Sequence, residues 1–176
     1  MLNALLLSAA IQASNPSLPP QRRDKFTNWV LEEARERNLD PWVFQAIIHQ
    51  ETRWTATAVR REHDGSCSVG LGQINTRCGS EEVATLLNPH NNIKRMGKFL
   101  SRIRRACRRD CAGLGWLRAY NPGDAAYLAA VQAAVRSAHA QDGQRIVQGA
   151  RAPVHVSRMQ VHAASRPSGK RGLEGG

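Results

Sequence analysis

Between Asp40 and Thr52 the chain reads DPWVFQAIIHQET, and this run narrows the folds open to it. Asp40 is a good N-cap, and Pro41 suits the first helical position, where its missing N–H goes unnoticed and its φ is already helical. Val43, Phe44, Ile47 and Ile48 make the helix apolar over most of its surface. Such a helix has to be enclosed by other elements, so it is a buried central helix. Glu51 follows Phe44, Ile47 and Ile48 at i+7, i+4 and i+3 and lies on the apolar face. A carboxyl at the buried end of a helix loses solvation, and its pKa rises. That is how a glutamate is kept protonated near neutral pH to act as a general acid. Taken alone, the helix also admits a frayed end, with Glu51 in solvent or paired with Arg53.

Elements to enclose this helix are readable on both sides of it. After Pro19-Pro20, Phe26, Trp29, Val30 and Ala34 recur at helical spacing. Residues 55–80 lack that period and contain Gly65, Gly70, Gly72 and Gly79, which predicts loops or short strands. Helices are expected at 81–87, at 90–106 behind Asn88-Pro89, near 113–119 and at 123–136. The expected class is α+β, predominantly α-helical, with one domain over residues 21–136. Met1 to Ala13 reads either as a signal segment or as a packed helix with Leu2, Leu5, Leu6 and Ala9 on one face, and residues 1–20 then form an N-terminal segment and linker. From Ser137 the pattern dissolves into Gly, Ser, Ala and Arg, so residues 137–176 are expected to be a basic, flexible low-complexity tail.

Charge and cysteines bound the partners. The formal net charge is +11, which attracts nucleic acid, anionic membrane surfaces or acidic wall polymers. The run Arg102 to Arg109 (RIRRACRR) is either a solvated helix face or a grip for such a polymer. No apolar run approaches the ~20 residues of a transmembrane helix, so no membrane span is expected. Cys67, Cys78, Cys107 and Cys111 are an even set without a C-x-x-C, and His63 alone does not complete a zinc pattern. Disulfides in an oxidising compartment are expected, with neither metal nor cofactor. Cys67–Cys78 is the expected pair, and Cys107–Cys111 follows only if the helix breaks between them.

Two more segments carry polar chemistry. Gly70-Leu71-Gly72-Gln73-Ile74-Asn75 sets two glycines where backbone can approach a ligand, with two carboxamides behind them. Ala119-Tyr120-Asn121-Pro122-Gly123 puts a phenol and a carboxamide at a corner between helices. Each alone has the composition of a plain turn. In the order Glu51-Thr52, Gly70 to Asn75, Ala119 to Gly123, they resemble the soluble lytic transglycosylase family, peptidoglycan-cleaving relatives of goose-type lysozyme. The family's Glu-Ser is similar to Glu51-Thr52, its Gly-Leu-Met-Gln to Gly70-Leu71-Gly72-Gln73, and its Ala-Tyr-Asn-x-Gly to Ala119 through Gly123. Asn88-Pro89-x-x-Asn92-Ile93 looks like the start of a family helix, and Tyr127 and Val131 fit its closing helix. The resemblance covers residues 38–136, and the Gln-Ile-Asn ending looks most like the small members that serve secretion systems and phage particles.

The resemblance implies a lysozyme-like fold and peptidoglycan glycan strands as substrate. It implies that Glu51 protonates the glycosidic oxygen between N-acetylmuramic acid and N-acetylglucosamine and then accepts a proton, leaving a 1,6-anhydromuramic end. Tyr120 would hold the acid by a hydrogen bond. Gln73 and Asn121 would bind N-acetyl or hydroxyl groups, with Thr52, Gly70 and Leu71 in the same substrate-binding set. Trp54, three residues after Glu51, either stacks on a sugar or packs in the core. His49 is expected to be packed or solvated. The implied location is the periplasm or cell envelope, or a virion, with an envelope-spanning secretion machine or phage tail as partner. Two departures stand out: Thr52 for Ser keeps a hydroxyl, whereas Gly72 for Met removes a side chain that the family sets against the sugar. Two other functions remain open. One is a lysozyme-type hydrolase, which needs a second carboxylate. Glu62 and Asp64 are expected in solvated ion pairs, however, and Asp124 as a helix cap. The other is an inactive, basic structural or DNA-associated virion protein of the same fold.

Overall fold

The computed structural model describes residues 2–108 and 111–151. Its elements are α1 (Leu2–Ser14), α2 (Pro20–Glu36), α3 (Pro41–Thr52), β1 (Val59–Arg61), β2 (Ser66–Val69), β3 (Ile74–Arg77), α4 (Glu81–Leu87), α5 (Pro89–Ala106), a 3-10 turn (Gly115–Ala119) and α6 (Ala125–Arg151). Asp40 caps α3 as its sequence predicts, its carboxylate accepting from Trp42 N at 2.9 Å. Val43, Phe44, Ala46, Ile47 and Ile48 are all 0% exposed. The helix is enclosed by α1, α2 and α6, which is what a helix apolar on nearly all sides requires. The class is α+β and mostly helical. Among the described residues, no helix is long and apolar enough to cross a membrane.

Residues 2–14 take the packed-helix alternative, lying against α2 and α3. The buried face is Leu6, Leu7 and Ile11, while Leu5, expected inside, is 71% exposed. Apolar residues lie all round this short helix, so period alone could not select the face.

The three strands form one antiparallel sheet in the order β1-β2-β3, with Arg61 opposite Cys67 and Val69 opposite Ile74. A Cys67–Cys78 disulfide ties β2 to the residue just beyond β3. The second disulfide is Cys107–Cys111, and α5 ends at Ala106, ahead of that pair. Both pairings are the expected ones.

The helix expected at 123–136 runs further than its apolar period suggests: α6 continues to Arg151. Beyond Arg136, Ala138 packs on the core. Asp142 accepts from Trp42 Nε1 at 2.9 Å, and His139 Nε2 meets Asp40 Oδ2 at 2.7 Å. Polar side chains thus fasten this stretch to the start of α3, and a search for apolar period passes over them. Residues 152–176 of the expected tail, and Arg109 of the basic run, lie outside the described residues.

Candidate active site

Glu51 stands on the last turn of α3, where the chain must leave a buried helix. It does so through two consecutive left-handed residues, Arg53 (φ 48°) and Trp54 (φ 64°), with Arg53 N–H returning to His49 O at 3.2 Å. The turn folds Trp54 back into the core, 1% exposed and stacked on Phe26 with ring centroids 5.8 Å apart. Trp54 therefore takes the core-packing alternative of the two that the sequence left open. His49 is turned toward α1, its Nδ1 2.9 Å from Ser14 Oγ.

The half-buried Glu51 carboxyl accepts a hydrogen bond from Tyr127 Oη at 2.7 Å. Burial raises its pKa above the ordinary glutamate value. The Tyr127 hydrogen bond and the Arg60 charge oppose that rise, and the Glu62 charge adds to it. Tyr127 sits in the first turn of α6, where Asp124 accepts from its backbone N–H at 2.8 Å, the capping role expected of Asp124. Sequence reasoning gave the acid's hydrogen bond to Tyr120. The structure gives it to Tyr127, because α6 lies along α3 while Tyr120 leaves the preceding turn toward the sheet. The signal for Tyr127 was present: a second tyrosine just behind a cap, on a helix expected to close the fold.

Tyr120 does other work. Its hydroxyl donates to Gly72 O at 2.7 Å, and its ring tilts against Phe99 at 5.5 Å. Burial, with the Glu51 charge second, pushes its hydroxyl pKa well up, so it stays a donor.

The Gly70–Gln73 loop is shaped from behind by Asn92 on α5, a residue that sequence reasoning read only as part of a helix start. Asn92 is 0% exposed. Its Oδ1 accepts from Gly72 N at 2.9 Å, and its Nδ2 donates to Val69 O at 2.8 Å and Leu86 O at 3.0 Å. Gly70 has φ +71°, and a Cβ there would run into Asn92 Nδ2 and lie 2.7 Å from Leu86 O. The glycine makes room for Asn92. Leu71 is buried in the core, and its carbonyl accepts from Thr52 Oγ1 at 3.0 Å. Thr52 and Leu71 thus fasten the loop to α3, and Gly70 lets Asn92 pack beneath it. Gln73 (φ 46°) donates from Nε2 to Gly70 O at 3.0 Å and lines an open cleft beside Asn75 and Tyr120. Asn121 is half-buried next to Tyr120.

The Gly72 departure has a local explanation. A Cβ at that position would lie 2.9 Å from Met96 Sδ and 3.1 Å from Tyr120 Oη. The thioether of α5 fills the space beneath the loop, and a side chain at 72 competes with it. Gly72→Ala should cost about 1–2 kcal/mol through overpacking. In a double-mutant cycle Met96→Ala should relieve part of that cost. Additive denaturation midpoints would show that the two residues do not share the space.

Just beyond β1, Glu62 accepts from Ser68 Oγ and from Arg60 Nε, the latter at 3.0 Å. The Ser68 hydrogen bond, and then Arg60, hold its pKa below the ordinary value, as Ser66 does for Asp64. Glu62 has the ion pair expected of it, whereas Asp64 is held by Ser66, whose N–H and hydroxyl donate to it at 2.9 and 2.6 Å, and no ion pair to it is found among the described residues.

The sequence profile of the Transglycosylase SLT domain matches residues 28–144, well over half of the chain, from within α2 to within α6. No curated protein and no solved structure matches it.

Proposed function

The chain belongs to the Transglycosylase SLT domain family, of lytic transglycosylase type and acting on peptidoglycan, and from that premise we propose that Glu51 is its single acid and base, cleaving the N-acetylmuramic acid–N-acetylglucosamine bond to leave 1,6-anhydromuramic ends. One observation carries the assignment: a half-buried carboxyl with a raised pKa, oriented by a tyrosine hydroxyl on the inner helix of the family domain. Protonated Glu51 gives its proton to the glycosidic oxygen as the anomeric C–O bond breaks. The muramic C6 hydroxyl then bonds to the anomeric carbon while the Glu51 carboxylate takes the hydroxyl proton, and the acid is restored. That hydroxyl is tethered in the same sugar, which gives it a large effective-molarity advantage over water. Tyr127 donates to the carboxylate in its ionised phase. Gln73 and Asn121 present amides suited to N-acetyl and hydroxyl groups. The same proposal covers the setting, local opening of the envelope for a secretion or phage assembly, supported by the Gln73-Ile74-Asn75 ending and by two disulfides that suit an oxidising compartment.

A second reading, hydrolysis of the lysozyme kind, is favoured by one observation: Glu62 is held ionised and its charge reaches Glu51. Two carboxyls whose surroundings drive their pKa values apart are the pattern of an acid with an ionised partner. Mass analysis of the released muropeptides decides between the two. Anhydro ends, lighter by one water, support the transglycosylase; reducing ends only make the enzyme a hydrolase, and Glu62→Gln should then abolish it. No band on a wall zymogram would point to the inactive, polyanion-binding alternative.

Tyr127→Phe tests the positioning of the acid. Loss of the hydrogen bond should cut kcat about tenfold, the worth of roughly 1.4 kcal/mol. It also removes an influence that lowers the Glu51 pKa. Activity that needs protonated Glu51 should therefore persist to higher pH, moving the alkaline limb of the profile upward. A limb that moves downward would contradict the contact.

A further inference from the structure

Among the described residues two large apolar side chains are exposed, and one of them, Leu5 at 71%, stands on α1. Residues 2–14 carry no charged side chain, in a chain whose formal net charge is +11. α1 and α6 both lie on α3 and leave a trough of about 430 Å³ between them. Ala9, Ala10 and Ala13 line it from α1, Ala134 and Ala138 from α6, and no lysine or arginine does. Arg136 is two residues from both Ala134 and Ala138, about 200° round α6 from each, and so lies away from the trough. α1 precedes residue 28, where the family match begins, so the α1 side of the trough is an addition to the family domain.

A chain with this charge repels its own copies across most of its surface. The α1 face is free of that repulsion, and its shape is self-complementary. Leu5, Ala9 and Ala13 recur at i, i+4 and i+8, all exposed, one large side chain followed by two small ones. Two α1 helices crossing antiparallel at Ala9 set the Leu5 of each copy over the Ala13 of the other, at the edge of the trough, about 12 Å along the helix from its own Leu5. We propose that the chain pairs with a second copy of itself about a two-fold axis at Ala9, each Leu5 entering the trough of the other copy. Such a contact uses the same patch on both copies, so it closes at two. Both active-site clefts stay open, because Glu51 follows the trough-lining His49 by two residues, about 200° round α3.

Sedimentation equilibrium of the full chain, over a range of protein and salt concentrations, tests the pairing. The mass should rise from one chain toward two, and further at high salt, which screens the +11 repulsion but not the apolar contact. Leu5→Ala should weaken the pair about thirtyfold, since two leucine side chains lose their burial per dimer. Leu5→Glu should abolish it. Leu5 and Ala9 are exposed, so variants at either should melt like the parent. The four cysteines are already joined in two disulfides, so Ala9→Cys probes the axis cleanly. It should give a covalent dimer on mild oxidation, whereas Ala129→Cys, exposed on the side of α6 away from the trough, should not. A chain that stays monomeric at every salt concentration overturns the proposal. So does a dimer that salt dissociates, one that Leu5→Glu leaves intact, or one that Ala9→Cys fails to cross-link. A monomer that binds neutral phosphatidylcholine vesicles, and loses them on Leu5→Glu, overturns it in favour of a lipid surface.

Discussion

Glu51→Gln should leave a folded protein that clears cell wall at about a thousandth of the normal rate or less. The substitution keeps the shape of the side chain and removes its proton, so it takes away the acid of the first step and the base of the second. Each such role is worth about 10²- to 10⁴-fold. The same variant should also be no less stable, and that second readout separates a chemical role from a structural one. Burial raises the Glu51 pKa in the fold, so the ionised carboxyl opposes folding once pH rises past its ordinary value. At pH 8 the glutamine variant should melt at or above the temperature of the parent, and at pH 4 the gain should vanish. A folded variant with near-normal activity would remove Glu51 from the chemistry.

Asn92→Ala should produce the largest loss of stability. The side chain satisfies three backbone groups at once, Gly72 N–H, Val69 O and Leu86 O, with no exposed surface of its own. Truncation leaves them without partners and opens a cavity, at about 3 kcal/mol or more. For a chain of this size that lowers the melting temperature by roughly 10 °C. Asn92→Asp should not rescue it, because a carboxylate cannot donate to the two carbonyls. Activity should fall further than the folded fraction does, since the Gly70–Gln73 loop loses the group that shapes it. A cost below about 1 kcal/mol in chemical denaturation would show that water takes over the three groups.

The parts of this molecule legible in advance are those set by neighbours in the chain. Asp40, Pro41 and the apolar run that follows specify α3 and place Glu51 on its inner face, and Asp124 announces the start of α6. Missed features depend on how distant elements meet. Whether Tyr120 or Tyr127 reaches Glu51 is decided by the path of α6 along α3, which the local sequence around either tyrosine does not encode. Trp54 is drawn into the core by two left-handed residues, neither of them a glycine, so no turn signal marks the reversal. The glycines at 70 and 72 were legible as positions of close approach. What approaches them, Asn92 and Met96 from α5, became visible only once that helix was in place.

The burial of Trp54 has an optical consequence. Trp42 and Trp116 are buried as well, and Trp29 lies on α2 stacked on His90, outside the cleft between Gln73 and Arg102. None of these indoles is placed to meet a sugar bound there. Intrinsic fluorescence of the folded chain should consequently be blue-shifted and nearly silent when wall fragments are added, yet shift strongly to the red on unfolding. The protein thus carries a built-in gauge of its core. Ligand occupancy needs a separate label, best attached to the ligand itself.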